Sequence, residues 1–558
     1  MNDYRHRSLL ILAGFAFVFL LYALRLFYVQ VMSPEYRQRA DVTDIKERIL
    51  IPSRGLIFDR NEHIIVKNTP VFDIEFVPKE IKIPDTTILE TYLGLTREQI
   101  RKSIKDVKPE EKYKEKVLKK QVSNETFNRL SEHLWRFEGI YPKARPTREY
   151  PYRNGGLFLG YINEVSEKQL EASKKEGDIY YKQGDLTGIT GVERKYEQKL
   201  RGQKGKKTVQ VDTHGREIGP YSDGRLDLQP IPGSDIKIGI DVELQALGEK
   251  LMAGKRGSIV AIEPASGEIL AFISAPGYDP SLLSGDQIGQ NYKMLARDSL
   301  LPLYNRPLQA QYPPGSIFKM VQALAALGDS IIFETTYFPC GGAWGRNGGK
   351  PKCHGAHGAC SLHNAIVHSC NAYFAEVYYT YLNHPKFKGD IHAAYSRWRT
   401  VMDMYGIGRR LDVDIPNENK GNVPLPTEYD KRYGVNGWGA LTIYSNSIGQ
   451  GEILMTPLQM ANLAAIIANR GYYYKPHFAR AWRDSTGNWK NFEYEKVILP
   501  GSRSNFEVVV NGMEAVVTGG TGTMARVDSV VVCGKTGTVE NPPNPDHSVF
   551  MCFAPNDN

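Results

Sequence analysis

Ser316 and Lys319 stand three residues apart, and an apolar run (Met320, Val321, Ala323, Leu324 to Leu327) follows them like a buried helix. On a helix, positions i and i+3 share a face, so the hydroxyl and the amine meet. Pro313, Pro314 and Gly315 cannot extend that helix backwards, which puts Ser316 in its first turn, beside free backbone N–H groups. A serine with an amine at hand to take its proton is a candidate nucleophile. By itself S-x-x-K is a weak signal, since any long helix can contain one. Ser369-Cys370-Asn371 and then Lys535-Thr536-Gly537-Thr538 follow in the same chain. The three motifs together, in this order, are the signature of a serine acyl-transfer site.

Acyl transfer needs a deprotonated nucleophile, a proton shuttle, an oxyanion hole and an anchor for the substrate. Lys319 can act as base only when neutral, and an unperturbed lysine has a pKa of about 10.4, so roughly one in a few thousand is neutral at pH 7. Burial and a second cation, for which Lys535 is the obvious candidate, would lower that value. Read alone, Lys535-Thr536-Gly537-Thr538 is an ordinary turn after a strand; it is the company of the other two motifs that gives it chemistry.

A second constellation lies between these motifs. Cys340, Cys353, His354, His357, Cys360 and Cys370 crowd together, and Cys370 sits inside the middle motif. Such spacings can build a tetrahedral Zn²⁺ site, although they match no standard finger. One or two disulfides are the competing reading, and buried free thiols the third. Cys533 and Cys552 read as core residues on strands, and His354, His363 and His368 as surface or hydrogen-bonded histidines.

These groups need a large scaffold. With 558 residues the chain exceeds one core, so two or three domains are expected. A net charge of +8 spread over that length argues against a nucleic-acid partner. Residues 9–24 are apolar or aromatic apart from Gly14, and Arg25 can snorkel to an interface. Arg5 and Arg7 precede the run and no small-residue cleavage site follows it, so the expectation is one anchor at 8–31 with a cytoplasmic tail at 1–7. Residues 32–235 are polar and turn-rich: a strand–turn–strand at 54–61, a charged helical lobe at about 90–140, and a helix over 188–202 ended by Gly202. From 236 the pattern changes. Asp241 caps a helix through Leu251, 257–262 and 268–274 form a hairpin, helices fill the middle, and a strand at 528–533 leads into Lys535. Strands at both ends of a helical centre define an α+β domain.

Taken together, these stretches resemble the class B penicillin-binding proteins, closest to the elongation-specific penicillin-binding protein 2. Arg54-Gly55, Asp59-Arg60-Asn61, Arg148-Glu149-Tyr150-Pro151 and the 188–202 segment are similar to the family's non-catalytic pedestal motifs. Arg306 to Lys319, Ser369-Cys370-Asn371, Gly449-Gln450-Gly451 with Thr456-Pro457, and Gly534 to Thr538 are similar to its transpeptidase domain. No glycosyltransferase module fits before 236, which sets aside the bifunctional class A type. The resemblance implies an anchor, a pedestal (dimerisation-like) domain and a transpeptidase domain whose antiparallel sheet is flanked by helices. It implies peptidoglycan D,D-transpeptidation in cell elongation: Ser316 forms an acyl-enzyme from a D-Ala-D-Ala donor, Ser369 relays a proton to the leaving amine, and Asn371 positions the substrate amide. Lys535, Thr536 and Thr538 would hold the terminal carboxylate, and Gly537 would let substrate lie close along the strand. The backbone N–H groups of Ser316 and Thr538 would form the oxyanion hole.

The same resemblance implies covalent capture of β-lactams, a SEDS-family glycosyltransferase and other elongation-complex proteins as partners, and a single-pass inner-membrane location with the bulk periplasmic. It also implies a structural zinc held by Cys340, Cys353, His357 and Cys370, with thiols where relatives have carboxylates. The transpeptidase fold of the family normally runs on past residue 558, so a C-terminally shortened product is the expectation. A D,D-carboxypeptidase or β-lactamase, a β-lactam sensor, and a scaffold that activates a glycosyltransferase are the alternatives.

Overall fold

The computed structural model describes residues 3–32, 45–83, 85–211, 217–541 and 543–556. The first two residues of the expected tail and the expected start of the pedestal at 33–44 lie outside them. The chain forms two compact units that alternate along the sequence: Met1–Arg54, Pro70–Pro146 and Arg201–Gly233 make one, and Gly55–Thr69, Thr147–Leu200 and Ser234–Asn558 the other. The division predicted at 235 follows the sequence, whereas the packing does not. Ile57, Val66, Phe158, Val192 and Leu200 are buried in one core with residues from beyond 236.

In the first unit, Asp3–Phe27 is helical. The stretch Arg7–Met32 is long and apolar enough to cross a membrane, and none of it is buried against protein. Strand Ile45–Leu50 pairs antiparallel with Gly205–Val211, which pairs in turn with Glu217–Pro220. The predicted lobe is present with a core of its own, in which Ile74, Phe76, Leu89, Leu93, Ile100, Leu118 and Leu130 are buried. Helices Thr87–Leu93, Arg97–Lys105 and Asn124–Ser131 and strand Lys116–Val122 each contribute buried residues to that core. Thr96 and Gln99 close a capping box on the second helix, satisfying two of its free N–H groups.

The second unit begins with the predicted strand–turn–strand. Asp59 Oδ1 accepts from the N–H groups of Asn61 and His63, 2.8 Å each, and fixes the turn between Ile57–Phe58 and the strand starting at Ile64. The helix predicted over 188–202 is two short pieces, Gly191–Lys195 and Glu197–Leu200, broken at Tyr196. Arg148 Nε donates to Glu193 Oε1 across 2.7 Å with both side chains buried. Removing one member of such a pair leaves an uncompensated charge and costs about 3–5 kcal/mol.

Beyond 236 the elements follow the predicted order. Helix α1 (Val242–Leu251) is capped by Asp241, which accepts from Glu243 and Leu244 N–H. Strands β1 (Gly257–Ile262) and β2 (Ile269–Ala275) make the expected hairpin. A 3₁₀ turn, Gly315–Ile317, opens helix α2 (Phe318–Gly328), in which ten of eleven residues are buried. A helix apolar all round belongs in a core. Helices α3 (Leu362–Val367), α4 (Asn371–Leu382), α5 (Ile391–Met404), α6 (Pro457–Ala468) and α7 (Arg503–Gly519) are among those that follow. Trp398 of α5 donates to Gln322 of α2 at 2.7 Å, tying the two helices together.

Strands β3 (Cys533–Val539) and β4 (His547–Phe553) pair antiparallel. The fold is α+β, as predicted, with β1–β2 and β3–β4 as separate antiparallel pairs among helices. Two details differ. The strand predicted at 528–533 begins only at Cys533, because Val527 and Val530 close a tight turn and leave Val531 half exposed. Cys552 is exposed, since the two-residue alternation of β4 turns it outward while Met551 and Phe553 are buried.

Candidate active site

Ser316 is fixed by glycines on three sides. Gly315 (φ +58°) donates its N–H to Gly449 O at 2.9 Å, and a Cβ there would lie 2.8 Å from Val539 Cγ2 and 3.0 Å from Thr538 O. Gly449 (φ +68°) approaches from the other side, where a Cβ would lie 2.5 Å from Gly315 O and 2.6 Å from Phe318 Cβ. Gly537 completes the frame from β3. Its missing side chain would point at Pro314 O (3.2 Å) and Ser316 N (3.5 Å). The glycine expected to let substrate lie close along the strand thus also lies against the serine turn.

Lys319 leaves the first turn of α2 and is fully buried. Its Nζ lies 2.7 Å from Ser369 O, 3.1 Å from Ser369 Oγ and 2.6 Å from Asn371 Oδ1, so two motifs far apart in sequence converge on one amine. Its hydrogen bonds go to these atoms rather than to Ser316, the partner that helical spacing suggested. Of the three acceptors only the Ser369 hydroxyl can reverse its role and donate to a neutral amine. Burial, and next the charge of Lys535, hold the pKa of Lys319 well below the usual lysine range; the thiols of Cys370 and Cys353 oppose that shift more weakly. Ser369 itself has φ +54°, a left-handed conformation rare for a non-glycine residue and common at functional sites.

Alternation along β3 sorts the last motif. Lys535, Gly537 and Val539 are buried, Thr536 is half-buried and Thr538 exposed, so the two threonines share the outward face. Lys535 donates to Thr536 O at 3.1 Å, and burial lowers its pKa to about 8. The hydroxyl of Thr536 lies 2.9 Å from that of Thr521, a residue the sequence did not single out. Thr521 belongs to a Gly-rich turn after α7, and only tertiary packing brings it to β3.

The four residues predicted to hold metal converge. Sγ of Cys340, Cys353 and Cys370 and a ring nitrogen of His357 all lie within 4.8 Å of one another. Cys340 Sγ is 3.6 Å from Cys353 Sγ and 3.4 Å from His357 Nδ1, and Cys353 Sγ is 3.8 Å from Cys370 Sγ. A tetrahedron with Zn–S bonds of about 2.3 Å has S···S edges of about 3.8 Å, so the donor set and its spacing fit zinc. All six cysteines are unpaired. Cys370 caps α4 and Cys353 Sγ accepts from Ala372 N–H at 3.3 Å, so the cluster grips the helix that begins with Asn371.

Two family models match the chain, the penicillin binding protein transpeptidase domain over residues 257–558 and the penicillin-binding protein dimerisation domain over residues 49–238. With the fold and the three converging motifs, they show that the chain belongs to the class B penicillin-binding proteins. Within the class it is of the penicillin-binding protein 2 type. The peptidoglycan D,D-transpeptidase MrdA of Acinetobacter baumannii is 31% identical, over 96% of this chain and 81% of that protein. MrdA of Escherichia coli is 29% identical, over 79% and 69%. Among solved structures, penicillin-binding protein 2 of Helicobacter pylori in complex with MreC matches the fold with a TM-score of 0.74 at 24% identity, covering 92% of this chain and 93% of that one. The Pseudomonas aeruginosa penicillin-binding protein 2 gives a TM-score of 0.65 at 26% identity, covering 92% and 90%.

Proposed function

We propose that the chain is a peptidoglycan D,D-transpeptidase that cross-links stem peptides through an acyl-enzyme on Ser316. The observation that carries this reading is Lys319: a fully buried amine, its charge disfavoured, hydrogen-bonded to Ser369 and Asn371 at the start of the serine helix. Neutral Lys319 takes the proton of Ser316 as its Oγ adds to the carbonyl of the penultimate D-alanine. The N–H groups of Ser316 and Thr538 receive the oxyanion. The peptide C–N bond then breaks, and Ser369, in contact with Lys319, passes the proton to the departing D-alanine amine. An acceptor amine reverses these steps and takes the acyl group. Lys535, charged below a pH of about 8, holds the substrate carboxylate with Thr536 and Thr538.

The Cys340, Cys353, His357 and Cys370 cluster holds a structural Zn²⁺ in this reading. The ion would brace the loop of Ser369 and Asn371 and take no part in the acyl transfer. The apolar N-terminal helix supports a single-pass anchor in the inner membrane with the tail cytoplasmic. The kinship with proteins of the elongation complex supports a SEDS-family glycosyltransferase as partner.

The test is intact mass of the soluble part, with and without penicillin, beside Ser316→Ala. One stable adduct that is absent from the variant is expected. Rapid loss of the adduct would instead make the chain a hydrolase, and an adduct that survives in Ser316→Ala would overturn the assignment of the nucleophile.

A further inference from the structure

A cavity of about 510 Å³ opens in the second unit, lined by residues of α1, the end of β2 and the segment around Leu300. Its volume falls within the range of small-molecule sites. None of the residues assigned to acyl transfer or to the thiol cluster lines it.

Two charged groups in this cavity have capacity that the protein leaves unused. Glu249 is half-buried, and both of its hydrogen bonds, from Gly155 N–H (2.9 Å) and Gln245 Nε2 (2.8 Å), fall on Oε1. Its Oε2 accepts none among the described residues. Arg256 makes no ion pair or hydrogen bond among the described residues, although the other charges of the cavity are engaged. Arg153 lies 3.8 Å from Asp279, and Lys255 donates to Leu251 O at 2.6 Å. Arg256 also adds to the positive field around Arg306, so it has a like-charged neighbour and no acid. Met252, Ile273, Pro276 and Leu300 supply apolar wall between these charges.

We propose that this cavity binds a short peptide with a free ammonium and a free carboxylate, the ammonium on Glu249 Oε2 and the carboxylate on Arg256. An anion alone would leave the half-buried carboxylate of Glu249 unanswered, and a cation alone would leave Arg256 so. The apolar wall suits small side chains between the two ends. The site has a route to the serine turn as well. Arg306, at the head of the segment that leads to Ser316, donates to Leu300 O (2.6 Å) and Pro276 O (3.4 Å), so two residues that line the cavity also hold Arg306.

The experiment uses the chain first acylated by penicillin, which closes the Ser316 site; adduct mass reports that step separately, so a failure there is not mistaken for a failure here. Trialanine is then titrated by calorimetry or NMR, beside N-acetyl-trialanine and trialanine amide. Saturable 1:1 binding is expected, weakened tenfold or more by blocking either terminus. Glu249→Gln, which keeps the bonds to Gly155 and Gln245, and Arg256→Gln should each weaken it similarly while penicillin acylation stays unchanged. Absence of saturable binding to the acylated chain, or equal affinity for all three peptides, overturns the proposal whatever the variants do.

Discussion

The closest packing in the active site lies between Gly449 and the serine turn, so Gly449→Ala tests how rigidly that turn must be held. A Cβ at position 449 would sit 2.5 Å from Gly315 O, 2.6 Å from Phe318 Cβ and 3.0 Å from Gly315 N. Two of these partners are backbone atoms and the third is the root of a buried side chain, so none can swing aside. Relief requires the turn to shift by most of an ångström. The left-handed backbone at Gly449 adds about 1–2 kcal/mol for any side chain, and overpacking adds about 1–3 kcal/mol. Stability should therefore fall by about 2–5 kcal/mol in urea unfolding. A displacement of about 1 Å at a reacting group costs about 10²-fold in rate, or about 2.7 kcal/mol in the barrier. Acylation by a fluorescent penicillin should slow by that factor in the fraction that remains folded. Gly94→Ala is the control, because Gly94 has the same left-handed backbone (φ +64°, ψ 25°) and nothing within 4 Å of the added carbon. It carries the backbone penalty alone and should acylate as the parent chain does. If Gly449→Ala also acylates within threefold of the parent, the serine turn is not held in the way described.

Three further outcomes follow from the site. Acylation efficiency toward a substrate with a free carboxylate should decline as pH rises through about 8, where Lys535 loses its charge; a profile flat to pH 9.5 would remove Lys535 as the anchor. Because the folded pKa of Lys535 lies below the unfolded value of about 10.4, its burial costs stability below pH 8, and that cost is relieved as pH climbs toward 10. Metal analysis should find one zinc per chain, lost in Cys353→Ser and kept in Cys360→Ala, with a lowered melting temperature only in the former. Thr521→Val should reduce acylation efficiency about fivefold by freeing the Thr536 hydroxyl, a loss of about 1 kcal/mol for one hydrogen bond, and Thr521→Ser should restore it.

The motifs were legible because acyl transfer demands particular side chains at short spacing. The hairpin at β1–β2 and the cap at Asp241 were legible because turn and capping chemistry is local. Contacts made across sequence distance were not. Helical spacing paired Lys319 with Ser316, whereas the hydrogen bonds of its amine run to Ser369 and Asn371 on a different loop. The packing of Gly537 was illegible for the same reason, since nothing near it in sequence reveals that Pro314 and Ser316 lie behind it. The valines at 527, 530 and 531 have the composition of a strand, and only packing makes them a turn. The four residues expected to bind metal do come together in space, but short spacing alone could not separate an ion site from a pair of disulfides.

The alternation of the two units along the chain bears on how the molecule can be cut and how it must assemble. A gene fragment starting at 236 would code for every catalytic motif yet omit Ile57, Val66, Phe158, Val192 and Leu200, all of which share its core. Such a fragment would expose a wide apolar surface and precipitate. During synthesis from the N-terminus, the pieces 55–69 and 147–200 emerge before their packing partners, which run from Ile236 beside Ile57 to Asp414 and Phe478 beside Tyr196 and Phe158. Chaperone demand should therefore persist until Phe478 has emerged, and a ribosome stalled earlier would release a chain whose 147–200 segment still lacks part of its permanent surroundings.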